Sequence, residues 1–394
     1  TTNTTQNPQT GNEGGPGYED SKPNTSNNTT NTTGQSQVSA EAKAAADAIA
    51  KPTISAEAGI LYDVTNGRVL FEKNADEKLA PASTTKLMTA LLVLEKANLD
   101  DKVTFSKTAV TNLESGAVKI GLVEGDQVSV KDSLYALLLK SANEVANGLA
   151  EHVSGSISAF AELMNARAAE LGCTNTHFVN PNGLNSDQQY TTCRDMAKIA
   201  AAAFANKTLC EIDSTLSYKF PATKAAAART ITPGHKMLYP NDSRYYAGIV
   251  GGKTGYTSKA GNTLVTCVEK DGVRMVAVIL KSKSTHYADT KKILDYGYQY
   301  VNTEKGNTTG NSTTTTTTAK QETAGKWVQD NGSWRYEFAD GTKAVGTIYT
   351  IDAADFGFDT DGKMVTGWKM FGTEWHYFET NGKMVKSAWR QDSG

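Results

Sequence analysis

The chain has 394 residues, 39% of them apolar, with 40 basic and 42 acidic side chains and a net charge of -2. That length and apolar content allow two folded units plus tails, with a core in only part of the chain. The even charge balance gives no field that draws the protein to nucleic acid or an anionic membrane, and no apolar run reaches the roughly 18 to 20 residues that cross a bilayer. The richest apolar stretch, Leu87 to Leu94, ends at Glu95. The chain starts at Thr1 without Met, as expected after removal of a signal peptide or at an internal boundary.

Residues 1 to about 38 are Thr, Asn, Gln, Ser and Gly with almost no large apolar side chains, so 1–50 is assigned to a disordered leader. Ala58 to Asp63 and Arg68 to Glu72 flank Asn66-Gly67, a strong hairpin signal. Helical periodicity follows over Thr84 to Leu94, Val130 to Val153, Ile157 to Leu171 and Thr192 to Phe204. A second hairpin, Asn262 to Glu269 and Val273 to Lys281, turns at Asp271-Gly272, and a helix runs from Thr290 to Val301. Strands at both ends with helices between predict an α/β layered domain whose sheet joins the two hairpins. A second Thr-rich run, Asn307 to Thr318, lies in an interdomain linker assigned to 304–325. Beyond it Asp340 to Gly346 returns as Asp361 to Gly367 and Asn381 to Lys386, at offsets of 21 and 20 residues, with aromatics before each Asp-Gly or Asn-Gly pair. This predicts a stack of short β-hairpins, each too small to fold alone.

Ser83 and Lys86 stand three apart at the head of a predicted helix, so their side chains share one face. A lone Ser-x-x-Lys arises by chance about once in a chain of this size, and on its own a helix start with a surface lysine is the better explanation. It gains weight from Ser141-Ala142-Asn143, at the end of an apolar helical run, and from Lys253-Thr254-Gly255, leading into the strand near Asn262. Alone, these read as a capping pair and a strand-end turn. In this order within one domain, the three mark an active-serine acyl-transfer site. The five histidines form no HExxH and no close pair, which argues against a zinc peptidase. The four cysteines form no CxxC; Cys173 to Cys193 is one possible disulfide, with free buried thiols as the alternative.

The run Pro81 to Ala90, with Leu137 to Asn147, Asn175 to Leu184 and Gly252 to Gly261, closely resembles the low-molecular-mass penicillin-binding proteins that act as D-alanyl-D-alanine carboxypeptidases. The resemblance covers about 51–303. It implies the β-lactamase/penicillin-binding fold, an antiparallel sheet flanked by helices with a second helical lobe. It also implies peptidoglycan stem peptides as substrate, β-lactams as covalent inhibitors, and no cofactor. Ser83 is then the nucleophile and Lys86 its base, neutral when it works because burial and the second cation Lys253 lower its pKa. Ser141 relays the proton to the departing amine, and the Asn143 amide holds the substrate backbone. Lys253 and Thr254 receive the terminal carboxylate, and Gly255 completes the substrate-binding run. Carried over by position, the oxyanion hole is the backbone N–H groups of Ser83 and Tyr256. His286 lies near a position where some relatives direct a basic residue to the substrate carboxylate; a surface helix start is the alternative. The Asn180-Pro181-Asn182-Gly183 stretch is read as a turn without chemistry.

The C-terminal units, 326–394, resemble cell-wall-binding repeats of the choline-binding type. That resemblance implies an aromatic cage for a quaternary ammonium group, built here from Trp368, Trp375, Tyr377 and Trp389. Phe356, Phe358 and Thr347 depart from the full repeat, so another wall polymer stands beside choline as the ligand, and aromatics that only pack the hairpins are the bland alternative. The leading expectation is a secreted, wall-tethered carboxypeptidase of a Gram-positive-type bacterium. A wall-binding, penicillin-sensing protein with poor turnover is the second reading, and a class A β-lactamase the third. The β-lactamase needs a Glu-x-x-x-Asn loop, and Glu170 to Asn175 has the wrong spacing.

Overall fold

The computed structural model describes residues 40–111, 113–306, 320–321, 325–330, 332–339, 341–352, 354–359, 361–371 and 374–385. The leader up to residue 39, most of the Thr-rich linker and Trp389 lie outside the described residues.

Five strands, β1 (Ala58–Asp63), β2 (Arg68–Lys73), β3 (Ile249–Thr257), β4 (Gly261–Lys270) and β5 (Val273–Ser282), form one antiparallel sheet in the order β2-β1-β5-β4-β3. Both hairpins form where the sequence places them. Asp271 and Gly272 take φ of 52° and 71°, as a tight two-residue turn between strands requires. The hairpins join through β1 and β5, from Ala58 opposite Leu280 to Asp63 opposite Met275.

The helices are α1 (Ala40–Asp47), α2 (Lys86–Lys96), α3 (Val130–Leu139), α4 (Asn143–Ser154), α5 (Ile157–Glu170), α6 (Cys193–Ala205), α7 (Lys207–Asp213) and α8 (His286–Glu304). Side chains alternate across the sheet and feed two cores. Leu61, Leu264 and Met275 face α1 and α8, packing with Ile293, Leu294 and Val301. Ile60, Val265, Val276 and Val278 face the helical lobe, packing with Leu87, Leu91 and Ile199. Among the described residues no helix is long and apolar enough to cross a membrane.

Several expectations need correction. Helix α1 lies inside the segment assigned to a disordered leader. Its Ala-rich turns seat on α8, where Lys43 Nζ donates to the Tyr300 hydroxyl at 2.9 Å and that hydroxyl donates to Asp47 at 2.6 Å. The helix expected from Val130 to Val153 is two helices, because Ser141 adopts φ 59°, a left-handed conformation that ends α3 before α4 begins at Asn143. The apolar spacing runs through both helices and hides the break. Lys253 to Gly255 lie within strand β3, where Lys253 pairs with Val265, and not in a turn leading into a strand. Cys173 and Cys193 are free thiols, both buried, so that disulfide is absent.

The repeat segment forms antiparallel hairpins: Gly325–Asp330 with Ser333–Phe338, Ile348–Ile351 with Ala354–Gly357, and Gly367–Phe371 with Glu374–Phe378. Lys320–Gln321, assigned to the linker, pairs in parallel with Tyr349 and Thr350. The repeated Gly-containing turns are not the loops of these hairpins. They close single bridges, Glu337 to Lys343, Phe358 to Met364 and Phe378 to Met384, that fold each unit back on its preceding strand.

Candidate active site

Ser83 sits in the 3-10 turn Ala82–Thr85 that feeds α2, and Lys86 is the first residue of that helix. One turn of separation returns Lys86 Nζ to within 3.0 Å of Ser83 Oγ. The ammonium position is fully buried and meets two further acceptors, Asn143 Oδ1 at 2.8 Å and the Asn182 carbonyl at 2.5 Å. Burial, reinforced by the Lys253 charge, pushes the Lys86 pKa well below the ordinary lysine value, while Glu144 pulls the other way. A neutral amine donates only two protons. Given to Asn143 and Asn182, they leave the lone pair aimed at the Ser83 hydroxyl.

The second and third elements close on the first. Ser141, in its left-handed turn between α3 and α4, accepts from Lys253 Nζ at 3.0 Å, and Lys253 also donates to the Thr254 carbonyl at 2.8 Å. Strand β3 passes so close to the turn that carries Ser83 that a methyl group on Gly255 would lie 2.8 Å from Ser83 N and 2.4 Å from Thr263 Oγ1. Thr263 Oγ1 in turn donates to the Pro81 carbonyl at 3.1 Å, fixing the turn from β4. The resulting cleft, about 540 Å³, is lined by Ser83, Ser141, Asn143, Thr254 and Tyr256, while Lys86 and Lys253 lie buried beneath it.

Asn143 is more committed than expected. Its Oδ1 receives Lys86 and its Nδ2 donates to the Val118 carbonyl at 3.0 Å, so it orients the Lys86 amine as well as lining the cleft. His286 lines the cleft beside Tyr287, but burial and then Arg244 lower its pKa, so it enters as a neutral imidazole.

Four parts of the site escaped the sequence reading. The Asn180-Gly183 turn supplies the Lys86 acceptor, and Gly183, at φ 86°, packs where a methyl would lie 1.8 Å from the Ala82 carbonyl. The buried Glu144 accepts backbone N–H groups of Ile120 and Gly121 at 2.7 and 2.8 Å, pinning the loop that walls the cleft. Asp213, at the end of α7, accepts the Gly252 N–H at 2.6 Å; burial raises its pKa and lowers that of Lys253, and their opposite charges temper both shifts. His235, pushed down to about 3 by burial and Lys253, contacts Thr266 Oγ1 at 2.8 Å behind the strand. An acid one residue after Ser-x-Asn, and a Gly-containing turn with two asparagines, were the available signals.

Of the expected cage in the repeats, Trp368 and Tyr377 meet edge to face with centroids 5.3 Å apart. Trp389 and the Trp375 side chain lie outside the described residues. A cage the sequence reading missed is a cavity of about 340 Å³ lined by Trp327, Trp334, Phe356 and Met364. There Trp327 and Phe356 stand edge to face at 4.8 Å.

With this geometry in view, comparison with known proteins is specific. The D-alanyl-D-alanine carboxypeptidase family profile matches residues 44–284, and a choline-binding repeat profile matches 344–389. D-alanyl-D-alanine carboxypeptidase DacC of Escherichia coli K12 is 34% identical over 274 residues, covering 66% of this chain and 65% of that protein. DacF of Bacillus subtilis 168 is 34% identical over 258 residues, covering 63% of each. The chain therefore spans just under two thirds of the length of these two relatives. The enzyme of Streptomyces sp. K15 is 35% identical over 268 residues, 64% of this chain and 90% of that protein. The crystal structure of the Streptomyces K15 DD-transpeptidase superimposes with a TM-score of 0.58 at 32% identity, covering 64% of this chain and 99% of that one. The sheet flanked by helices is thus the penicillin-binding/β-lactamase fold, and the chain belongs to the D-alanyl-D-alanine carboxypeptidase family of serine peptidases, with a choline-binding repeat segment after its peptidase domain.

Proposed function

We propose that this chain is a serine-type D-alanyl-D-alanine carboxypeptidase that removes the terminal D-alanine from peptidoglycan stem peptides through an acyl-enzyme on Ser83. The observation that carries the reading is the 3.0 Å approach of a fully buried lysine amine to a cleft-exposed serine hydroxyl. A buried cation is costly, so the amine is held neutral and accepts the hydroxyl proton. As Ser83 Oγ bonds to the carbonyl carbon, negative charge moves to the carbonyl oxygen, toward the N–H groups of Ser83 and Tyr256. The C–N bond then breaks, and the departing D-alanine amine takes a proton through Ser141, which is held against Lys253. Water cleaves the ester by the same proton path in reverse. Lys253 and Thr254, at the cleft end of β3, receive the substrate carboxylate, and Gly255 keeps the strand close enough for both tasks. β-Lactams acylate the same serine and release slowly, because the site has no Glu-x-x-x-Asn loop to activate water.

The repeats attach the enzyme to a cell-wall polymer, which places it outside the cell. Both the Trp327-Trp334-Phe356 cavity and the Trp368-Tyr377 pair offer the electron-rich ring faces that hold a quaternary ammonium group. Free D-alanine measured after mixing the full chain with a peptide ending in D-Ala-D-Ala tests the enzymatic reading. Release at tens of turnovers per minute or faster, abolished by penicillin, supports it; no release alongside normal penicillin labelling overturns it.

A further inference from the structure

The two lysines of the site have opposite tasks. Lys86 works as a neutral base, whereas Lys253 works as a cation that holds a carboxylate, and both are buried. The partners of Lys253 show how sharply its task depends on charge. Its Nζ already donates to Ser141 Oγ at 3.0 Å and to the Thr254 carbonyl at 2.8 Å. An ammonium has a third proton to offer a ligand, but a neutral amine has only two and would present its lone pair to an incoming carboxylate.

Burial works against the charge at both lysines. At Lys86 the Glu144 charge is outweighed by burial and by Lys253 itself. At Lys253 burial lowers the pKa to about 8, and Asp213 keeps it from falling further. Asp213 is the last residue of α7, is itself buried, and accepts the Gly252 N–H at 2.6 Å, one residue before Lys253. Strand β3 admits this carboxylate because residue 251, on the same face as Lys253, has no side chain. A methyl there would lie 2.8 Å from Asp213 Oδ2 and 2.4 Å from the Phe204 ring. Residues two apart on a strand are separated by only about 6.6 to 6.8 Å, so the carboxylate acts on Lys253 at short range through a buried medium. The other ionisable neighbours supply no anion: Lys86 and His235 face Lys253 and are disfavoured as cations by it, while Cys210 and Cys267 face Asp213 as thiols whose pKa values burial raises.

We propose that Asp213 is a positioning residue for substrate recognition: seated in the gap left by Gly251, it keeps Lys253 charged, so that the enzyme distinguishes a peptide ending in a carboxylate from one ending in an amide. This rests on the carboxypeptidase reading for its substrate class.

The test compares diacetyl-Lys-D-Ala-D-Ala with its C-terminal amide, measuring release of D-alanine or D-alaninamide as pH is varied. Full-length protein favours the carboxylate in kcat/KM, and the preference falls as pH rises past about 8, where Lys253 loses its proton. Asp213→Asn keeps an oxygen for the Gly252 N–H and removes the charge. The fall in preference then moves down by about one pH unit, and the preference near pH 8 drops about tenfold. Below about 7, where burial leaves Asp213 itself protonated, parent and variant converge. A merely structural role slows both peptides by one factor and leaves their ratio and its pH profile unmoved. Binding of the two peptides to Ser83→Ala and to Ser83→Ala/Asp213→Asn, read by displacement of a fluorescent peptide, shows the same loss of preference without turnover. An unmoved ratio and pH profile in Asp213→Asn, or equal preference in the two Ser83→Ala proteins near pH 8, overturns the proposal. Absence of D-alanine release from the parent overturns the carboxypeptidase reading instead, while the binding comparison still decides the role of Asp213.

Discussion

Replacing Gly255 by Ala probes the closest approach in the site. The added methyl carbon would lie 2.8 Å from Ser83 N, 3.1 Å from Ala82 Cβ and 2.4 Å from Thr263 Oγ1. Thr263 is fully buried and holds the Pro81 carbonyl, so its rotation would break that hydrogen bond. Ser83 N is backbone and has no rotamer to change. Restoring an ordinary separation of about 3.4 Å from 2.8 Å moves β3 and the nucleophile turn apart by about 0.6 Å. Overpacking of this kind costs about 1 to 3 kcal/mol of stability. The same displacement shifts the Ser83 and Tyr256 N–H groups relative to each other, and misplacement on this scale lowers acylation about 10- to 100-fold. The assay is the second-order rate of labelling by fluorescent penicillin, with thermal unfolding measured in parallel. The reasoning fails if Gly255→Ala labels within threefold of the parent at an unchanged melting temperature.

Four other predictions rest on the buried charges and thiols. Acylation rises with pH along an acid limb set by proton loss from Lys86, well below an ordinary lysine, and Lys86→Arg, which stays charged, labels at less than about 1% of the parent rate. The linked stability has a defined sign: between the lowered folded pKa and the ordinary 10.5 the unfolded chain holds more protons at this site, so Lys86→Met gains stability relative to the parent as pH falls from 10.5 toward neutrality, read by denaturant unfolding at several pH values. Glu144→Ala strands the Ile120 and Gly121 N–H groups and lowers stability by about 2 to 4 kcal/mol, whereas Glu144→Gln, which keeps an acceptor, loses less than half of that. Denatured, unreduced protein titrates four free thiols, and dithiothreitol leaves the melting temperature unchanged.

The parts of this molecule that were legible in its sequence are those with local signatures. Asp271-Gly272 announces a hairpin because a two-residue turn restricts which residues fit, Asn66-Gly67 ends the four-residue turn between Asp63 and Arg68 with Gly67 at φ 65°, and the three motifs announce the site because each places its reactive groups within one turn or one strand. What was hidden depends on contacts between distant segments. The break at Ser141 leaves the apolar periodicity of α3 and α4 intact. The Asn182 carbonyl acts through its backbone, which no side-chain pattern reports. Glu144 and Asp213 are buried acids whose partners are amide groups of Ile120 to Gly121 and of Gly252, and sequence spacing does not reveal that pairing. Helix α1 escaped because its residues are small and it buries only Ala46, in the core that α8 shares.

The measurement closest to the central claim is the site of the acyl adduct. Protein incubated with benzylpenicillin, digested and analysed by mass spectrometry carries the penicilloyl group on the peptide containing Ser83, and Ser83→Ala carries none. An adduct on any other residue, or a Ser83→Ala protein labelled as fast as its parent, contradicts the account.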